Sequence, residues 1–116
     1  MNSSALFIIA GDPRRSPRPA EAIRIAAGVG TWRKTTVHVY LRDPAVLALG
    51  EWPDELVDGD NFSRYLPILG EWGRPIYVQR GAPMLAHLGQ PSLPFEEIDD
   101  DRLAMLAAGS GFVLCF

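Results

Sequence analysis

Cysteine is nearly missing from this chain of 116 residues, which has one, Cys115. A single thiol excludes an intrachain disulfide and a cysteine-based zinc site. Histidine is almost as scarce. His38 and His87 lie far apart with no ligand pattern around either, so each reads as a structural or surface residue and no metal is expected. Long apolar runs are missing as well, and nothing approaches the ~20 residues of a membrane-spanning helix. The run at residues 5–10 is too short for the core of a signal peptide and has no basic residues before it. A cytoplasmic protein with no membrane partner is therefore expected. An excess of positive charge is also lacking: 11 basic against 14 acidic residues give a net charge of −3 and a pI near 5.2. That balance argues against a general nucleic-acid binder. No Ser/His/Asp constellation, P-loop, G-x-G-x-x-G fingerprint, internal repeat or low-complexity segment is present, and no cofactor is implied.

The length is that of one domain, residues 1–116, with 47% hydrophobic residues to build a core. Charge is unevenly spread. Residues 12–42 carry seven basic side chains (Arg14, Arg15, Arg18, Arg24, Arg33, Lys34, Arg42) against Asp12 and Glu21. The remainder is strongly acidic. A small anion would be drawn to the first third, while a polyanion would be repelled by the rest.

The pattern along the chain alternates strand and helix. Ala5-Leu6-Phe7-Ile8-Ile9-Ala10 is apolar on both faces, as a central strand must be. A Gly11-Asp12-Pro13-Arg14 loop leads to a helix from about Pro17 to Gly30. Its polar positions, Glu21, Arg24, Gly28 and Thr31, form one narrow stripe. The wide apolar surface left over predicts burial against the sheet and against something more, which favours an oligomer. Residues 35–41 are a second strand, 45–49 a short helix, and 51–60 an acidic loop. Phe62, Tyr65, Leu66, Leu69 and Trp72 recur at helical spacing, with Pro67 predicting a kink or a late start.

Residues 74–83 organise the rest: a third strand stops at Gly81 and hands over to a helix beginning near Pro83. A fourth strand is expected at residues 95–98. Asp99-Asp100-Asp101 reads as a helix cap, not an ion site. Residues 112–116 form the last strand. Such alternation predicts an α/β domain with a mostly parallel five-stranded sheet and helices on both faces.

Taken together, these stretches resemble the DsrE-like family of small sulfur-relay proteins over nearly the whole chain. The resemblance rests on the apolar first strand with its Gly-Asp-Pro-Arg loop, the alanine-rich helix, and Val37 to Leu41 followed by Asp43-Pro44-Ala45-Val46-Leu47. Ile76-Tyr77-Val78 before a turn and the hydrophobic final strand complete it. It implies the fold, a trimer or hexamer, and a site at the turn after the third strand. Members active in sulfur transfer hold a persulfide on a cysteine at that turn. Here the place falls on Gln79 or Arg80, which takes away the residue that would do the chemistry.

In an α/β sheet ligands bind outside the carboxyl ends of the strands. Asp12, Arg14 and Arg15 follow the first strand, Asp43 the second, and Gln79, Arg80 and Gly81 the third. Arginine suits bidentate recognition of carboxylate or phosphate, and a helix N-terminus near Ala82 would add positive charge. These seven residues are the expected ligand-binding set. The plainer alternative leaves the arginines solvated or paired with Asp12 and Asp43. Cys115 reads as a buried, inert core thiol, with a displaced sulfur acceptor as the alternative. Trp32, Trp52 and Trp72 stand at element ends, where they cover the core's rim or join a subunit contact.

The expected protein is thus a non-catalytic, DsrE-like cytoplasmic homo-oligomer binding a small anion or a partner's tail. The alternatives are a sulfur carrier using Cys115 and a structural subunit paired with a cysteine-bearing paralogue.

Overall fold

The computed structural model describes residues 4–33 and 35–116, apart from the side chains of residues 32 and 33, so the expectation for the Trp32 ring lies outside the described residues. Five strands, β1 (Ser4–Ile9), β2 (Thr36–Leu41), β3 (Ile76–Gln79), β4 (Phe95–Ile98) and β5 (Phe112–Cys115), form one sheet in the order β4-β3-β2-β1-β5. Every pairing is parallel. Helices α1 (Arg18–Arg33), α2 (Gly59–Gly70) and α3 (Asp100–Ala108) complete the α/β domain, with 3-10 turns at Ala45–Leu49, Pro53–Glu55 and Pro83–His87. No helix among the described residues is long and apolar enough to cross a membrane.

Side chains alternate across the sheet with the period of two that a strand imposes. Ala5, Phe7, Ile9, Val37, Val39, Leu41, Ile76 and Val78 share one core cluster with α1 and α2. Leu6, Tyr40, Tyr77 and Ile98 form a second cluster, against which Leu103, Leu106 and Ala107 of α3 pack. Both faces are thus covered by helices, and β1 needs its apolar residues at even and odd positions alike.

Three sequence expectations change here. The polar stripe of α1 is exposed as predicted, at Glu21, Arg24, Gly28 and Thr31. The apolar remainder, however, is used up inside the chain: Ala20, Ala22, Ile23, Ala26 and Ala27 are buried in the cluster that α2 joins through Phe62, Leu66 and Leu69. The α1 surface therefore gives no reason for an oligomer. Second, α2 does not start late; it begins at Gly59 and runs through Pro67 to Gly70. Proline there removes only a bond to the carbonyl of Ser63, an exposed residue whose oxygen water can satisfy.

The third change is the largest. Residues 112–115 are no core strand: β5 is an edge, and all four of its residues are exposed, Cys115 included. Phe112 is 66% exposed. A strand's composition cannot distinguish an edge from a centre, and α3, crossing from β4 to β5, leaves the β5 side chains bare. Only Phe116, just beyond the strand, turns inward, stacking on Phe7 with ring centroids 5.8 Å apart.

Candidate functional site at the carboxyl edge

The loops after β1, β2 and β3 meet at the carboxyl edge of the sheet, as the α/β rule requires. Asp12 organises the first of them. Its carboxylate accepts from the Arg14 backbone N–H (2.9 Å), Arg14 Nε (3.0 Å) and Arg14 Nη2 (3.0 Å), and its carbonyl accepts from the N–H groups of Arg15 and Ser16. The hydrogen bond from Arg14 holds the Asp12 carboxyl below its ordinary range, against a smaller opposing effect of burial. Arg14 is raised by the same pair and, more weakly, by Asp43. Arg15 only brushes Asp12, at 4.0 Å, and is otherwise open to solvent.

Asp43 and Gln79 lock the second loop to the third. The Asp43 N–H donates to Gln79 Oε1 (3.0 Å), and Asp43 Oδ1 accepts the Met84 N–H (2.8 Å), capping the 3-10 turn at Pro83–His87. The Asp43–Pro44 peptide is cis. Both residues act on loop geometry.

Arg80 and Gly81 turn the other way. Arg80 pairs with Asp99 (3.6 Å) and donates its backbone N–H to the Ile98 carbonyl (3.0 Å), while the Gly81 N–H goes to Glu97 Oε1 (3.1 Å). The turn after β3 is thus bound to β4 and the start of α3. Gly81, expected to permit a tight turn, has φ of 72°, a left-handed conformation that glycine adopts without strain. The plainer expectation, ion pairs with Asp12 and Asp43, holds for Arg14 with Asp12, whereas Arg80 pairs with Asp99 instead. Arg14 and Arg80 are thus turned to different carboxylates, the β4–α3 connection supplying the one beside Arg80.

What does open at this edge is a groove of about 320 Å³ lined by Arg14, Leu47, Gly50, Trp52, Glu55, Leu56, Met84 and His87. Among the expected ligand-binding residues, only Arg14 reaches it. Its far wall is the segment 50–57, held by Glu51 N–H to the Leu88 carbonyl (2.8 Å), Gln90 N–H to Glu51 Oε2 (3.1 Å) and Val57 N–H to the Pro13 carbonyl (2.8 Å). Gly89, at φ 65°, lets the Trp52 ring lie where a Cβ would stand. Trp52 is 52% exposed, a large apolar surface left facing water. The groove offers an indole, a thioether and two leucines beside a guanidinium already half engaged by Asp12, with an imidazole and a carboxylate at its rim. Its lining has no thiol or hydroxyl to serve as a nucleophile. Sequence reasoning missed Leu47, Glu55, Leu56, Met84 and His87, which sit in 3-10 turns and irregular loop without periodicity; an unexplained tryptophan in an acidic loop was the one available signal.

No cluster of His, Cys, Asp and Glu among the described residues is arranged to hold a metal ion. Asp99 caps α3 as read from sequence, its Oδ1 accepting the Arg102 N–H at 2.9 Å.

Comparison with solved structures places this architecture. The chain superposes on the ychN protein from E. coli with a TM-score of 0.77, over 100% of both chains and at 18% identity. The fold is DsrE-like. No family model matches the sequence, and no curated protein does either. At that identity the likeness carries the fold alone.

Proposed function

We propose that this is a non-catalytic, DsrE-like binding protein that holds a small ligand with an apolar, flat body and one anionic end in the carboxyl-edge groove. The observation carrying the reading is the pairing of Arg14 with an exposed Trp52 across one concave surface. Asp12 takes Nε and Nη2 of Arg14, leaving Nη1 to meet an anionic end. Indole, Met84 and Leu47 suit an aromatic or aliphatic body. A bare inorganic anion fits less well, since Asp12, Asp43 and Glu55 surround the single guanidinium. The turn after β3 carries Gln79 and Arg80 where sulfur-carrying members of the resembled family have their cysteine, which supports binding over transfer. The protein acts in the cytoplasm as a homo-oligomer.

Calorimetric titration with benzoate and indole-3-acetate, beside phosphate, sulfite and thiosulfate, tests this. The aromatic carboxylates should bind and quench Trp52 fluorescence. Arg14→Ala should weaken them about tenfold, the scale of one charge-assisted hydrogen bond lost. Arg80→Ala should leave binding unchanged. Binding by none of the five overturns the reading.

A second reading has one observation in its favour: Cys115 is exposed, so a thiol at the end of β5 is accessible after all. Mass spectrometry after incubation with a persulfide donor should then show sulfur added to Cys115. An unmodified chain sinks the sulfur-carrier alternative.

A further inference from the structure

The two edges of the sheet differ in chemistry. The β4 edge carries exposed Glu96 and Glu97 and follows Pro91 and Pro94. Charges and prolines are what protect an edge strand from pairing. The β5 edge carries Phe112, Val113, Leu114 and Cys115, all exposed and none charged. Residues 103–116 contain no charged side chain at all. Large apolar side chains exposed among the described residues are Trp52, Met105, Phe112, Val113 and Leu114, so all but Trp52 belong to this stretch.

The backbone on this edge is also free to pair. Phe116 donates its N–H to the Ile8 carbonyl (2.8 Å) and accepts from the Ala10 N–H (2.9 Å). The parallel register sets Phe112 beside Ala5 and Leu114 beside Phe7. The polar groups of Phe112, Leu114 and Phe116 therefore face β1, and alternation points the N–H and C=O of Val113 and Cys115 outward.

We propose that β5 pairs antiparallel with β5 of a second copy of this chain, about a two-fold axis at Leu114. The proposal deepens the homo-oligomer reading above, on which it rests, by naming the surface. Three features select a second copy as the occupant. A head-to-tail contact needs a second, different surface that receives a strand edge, and the apolar groove around Trp52 is walled by irregular chain with Arg14, Glu55 and His87 in its lining; the β5 edge is matched best by itself, as in an isologous interface. Charge points the same way: a chain of net charge −3 meets its copy here without any like-charge contact, whereas pairing through β4 would set Glu96 and Glu97 against their own copies. Finally, an axis at Leu114 puts Val113 of each copy opposite Cys115 of the other, so all the outward N–H and C=O groups of these residues are satisfied. The two Leu114 residues then face each other at a position where Cα atoms stand about 4.5 Å apart.

Sedimentation of the intact protein, of Leu114→Lys, and of Leu114→Cys in a Cys115→Ser background tests the pairing. The wild type should sediment at twice 12.7 kDa or a higher even multiple. Leu114→Lys should halve that mass while circular dichroism stays unchanged, because Leu114 is 40% exposed and a lysine there disturbs no core. Leu114→Cys should form a covalent dimer under mild oxidation much faster than a Ser63→Cys control on the exposed side of α2, since ~4.5 Å between Cα atoms suits a disulfide. An oligomer whose mass ignores Leu114→Lys, an odd multiple, or cross-linking no faster than the control overturns the β5 pairing and leaves the homo-oligomer reading standing. A wild type at 12.7 kDa at every concentration overturns both.

Discussion

On the α1/α2 side of the sheet, Phe7, Val39 and Val78 share a core with Ile23, Ala26 and Phe62, none more than 3% exposed. On the other side, Leu6, Tyr40 and Tyr77 meet α3, a helix with no buried residue of its own. The same strands supply both faces, so the difference lies in the cover. Two helices of 16 and 12 residues close one face, and a single helix of 9 residues crosses the whole width of the other. The second face therefore keeps features the first excludes: a Tyr40 hydroxyl and a His38 Nδ1 that are buried without a hydrogen-bond partner among the described residues, and a recess of about 240 Å³ between α3 and the amino ends of β1 and β2. The closed face holds the fold together; the thin one is more lightly held.

The largest effect that would sharpen this contrast comes from truncating one side chain on each face. Phe62→Ala should cost about 3–5 kcal/mol, the transfer and cavity terms of a fully enclosed aromatic. Leu106→Ala on α3 should cost only about 1 kcal/mol, because a half-exposed leucine has withdrawn much less apolar area from water. Urea unfolding of both variants measures the difference. Equal losses would mean that α3 is held as firmly as α2 and that the two faces are energetically alike.

Much of this was legible in the sequence, and the exceptions share a cause. Strand and helix order could be read because β-branched runs, Gly and Pro punctuation and the α1 polar stripe are local signals. The Asp99 cap is local too. What could not be read depends on neighbours distant in sequence. Five apolar residues at 112–116 look alike on an edge and in a centre, and only the sheet order shows which. The α1 surplus looked unpartnered because the residues that cover it, Phe62, Leu66 and Leu69 of α2, lie far along the chain. Arg80 seemed to face Arg14 until the β4–α3 connection brought Asp99 within 3.6 Å. The place of Arg14 at the carboxyl edge could be read from the strand order, while the groove lining from the 3-10 turns could not, since such turns leave no periodic trace.

A smaller effect comes from Tyr40, which is 0% exposed. Burial raises its pKa above 10.0, and its hydroxyl finds no acceptor among the described residues. A buried donor without a partner costs the folded state its desolvation. Tyr40→Phe keeps the ring that Arg42 covers at 5.7 Å and removes the stranded hydroxyl. Thermal unfolding should show a midpoint equal to or above that of the wild type, within about 1 kcal/mol. A clear loss of stability would mean that the hydroxyl is satisfied and that the α3 face is better closed than the comparison holds.

The smallest effect concerns His38, on the same face and half-buried, with its ring centroid 5.9 Å from that of Tyr77. Burial lowers its pKa below the ordinary 6.5, and the Arg74 guanidinium lowers it further. The imidazole is therefore neutral in the fold at neutral pH. Because the folded pKa is the lower one, the unfolded chain takes up a proton first as pH falls. In that window the unfolded state binds more protons, so stability increases with pH. His38 should thus contribute nothing unfavourable above about pH 7 and should weaken the fold progressively below 6.5, the loss levelling off once pH passes under the folded value. Solvent reaches part of the ring, so the loss is modest. Chemical unfolding of wild type and His38→Gln from pH 7.5 to 5 isolates it: the variant should lose less stability over this range than the wild type. Identical pH slopes in the two proteins would place His38 in effective contact with water, and the α3 face would then be open at that point instead of thinly covered.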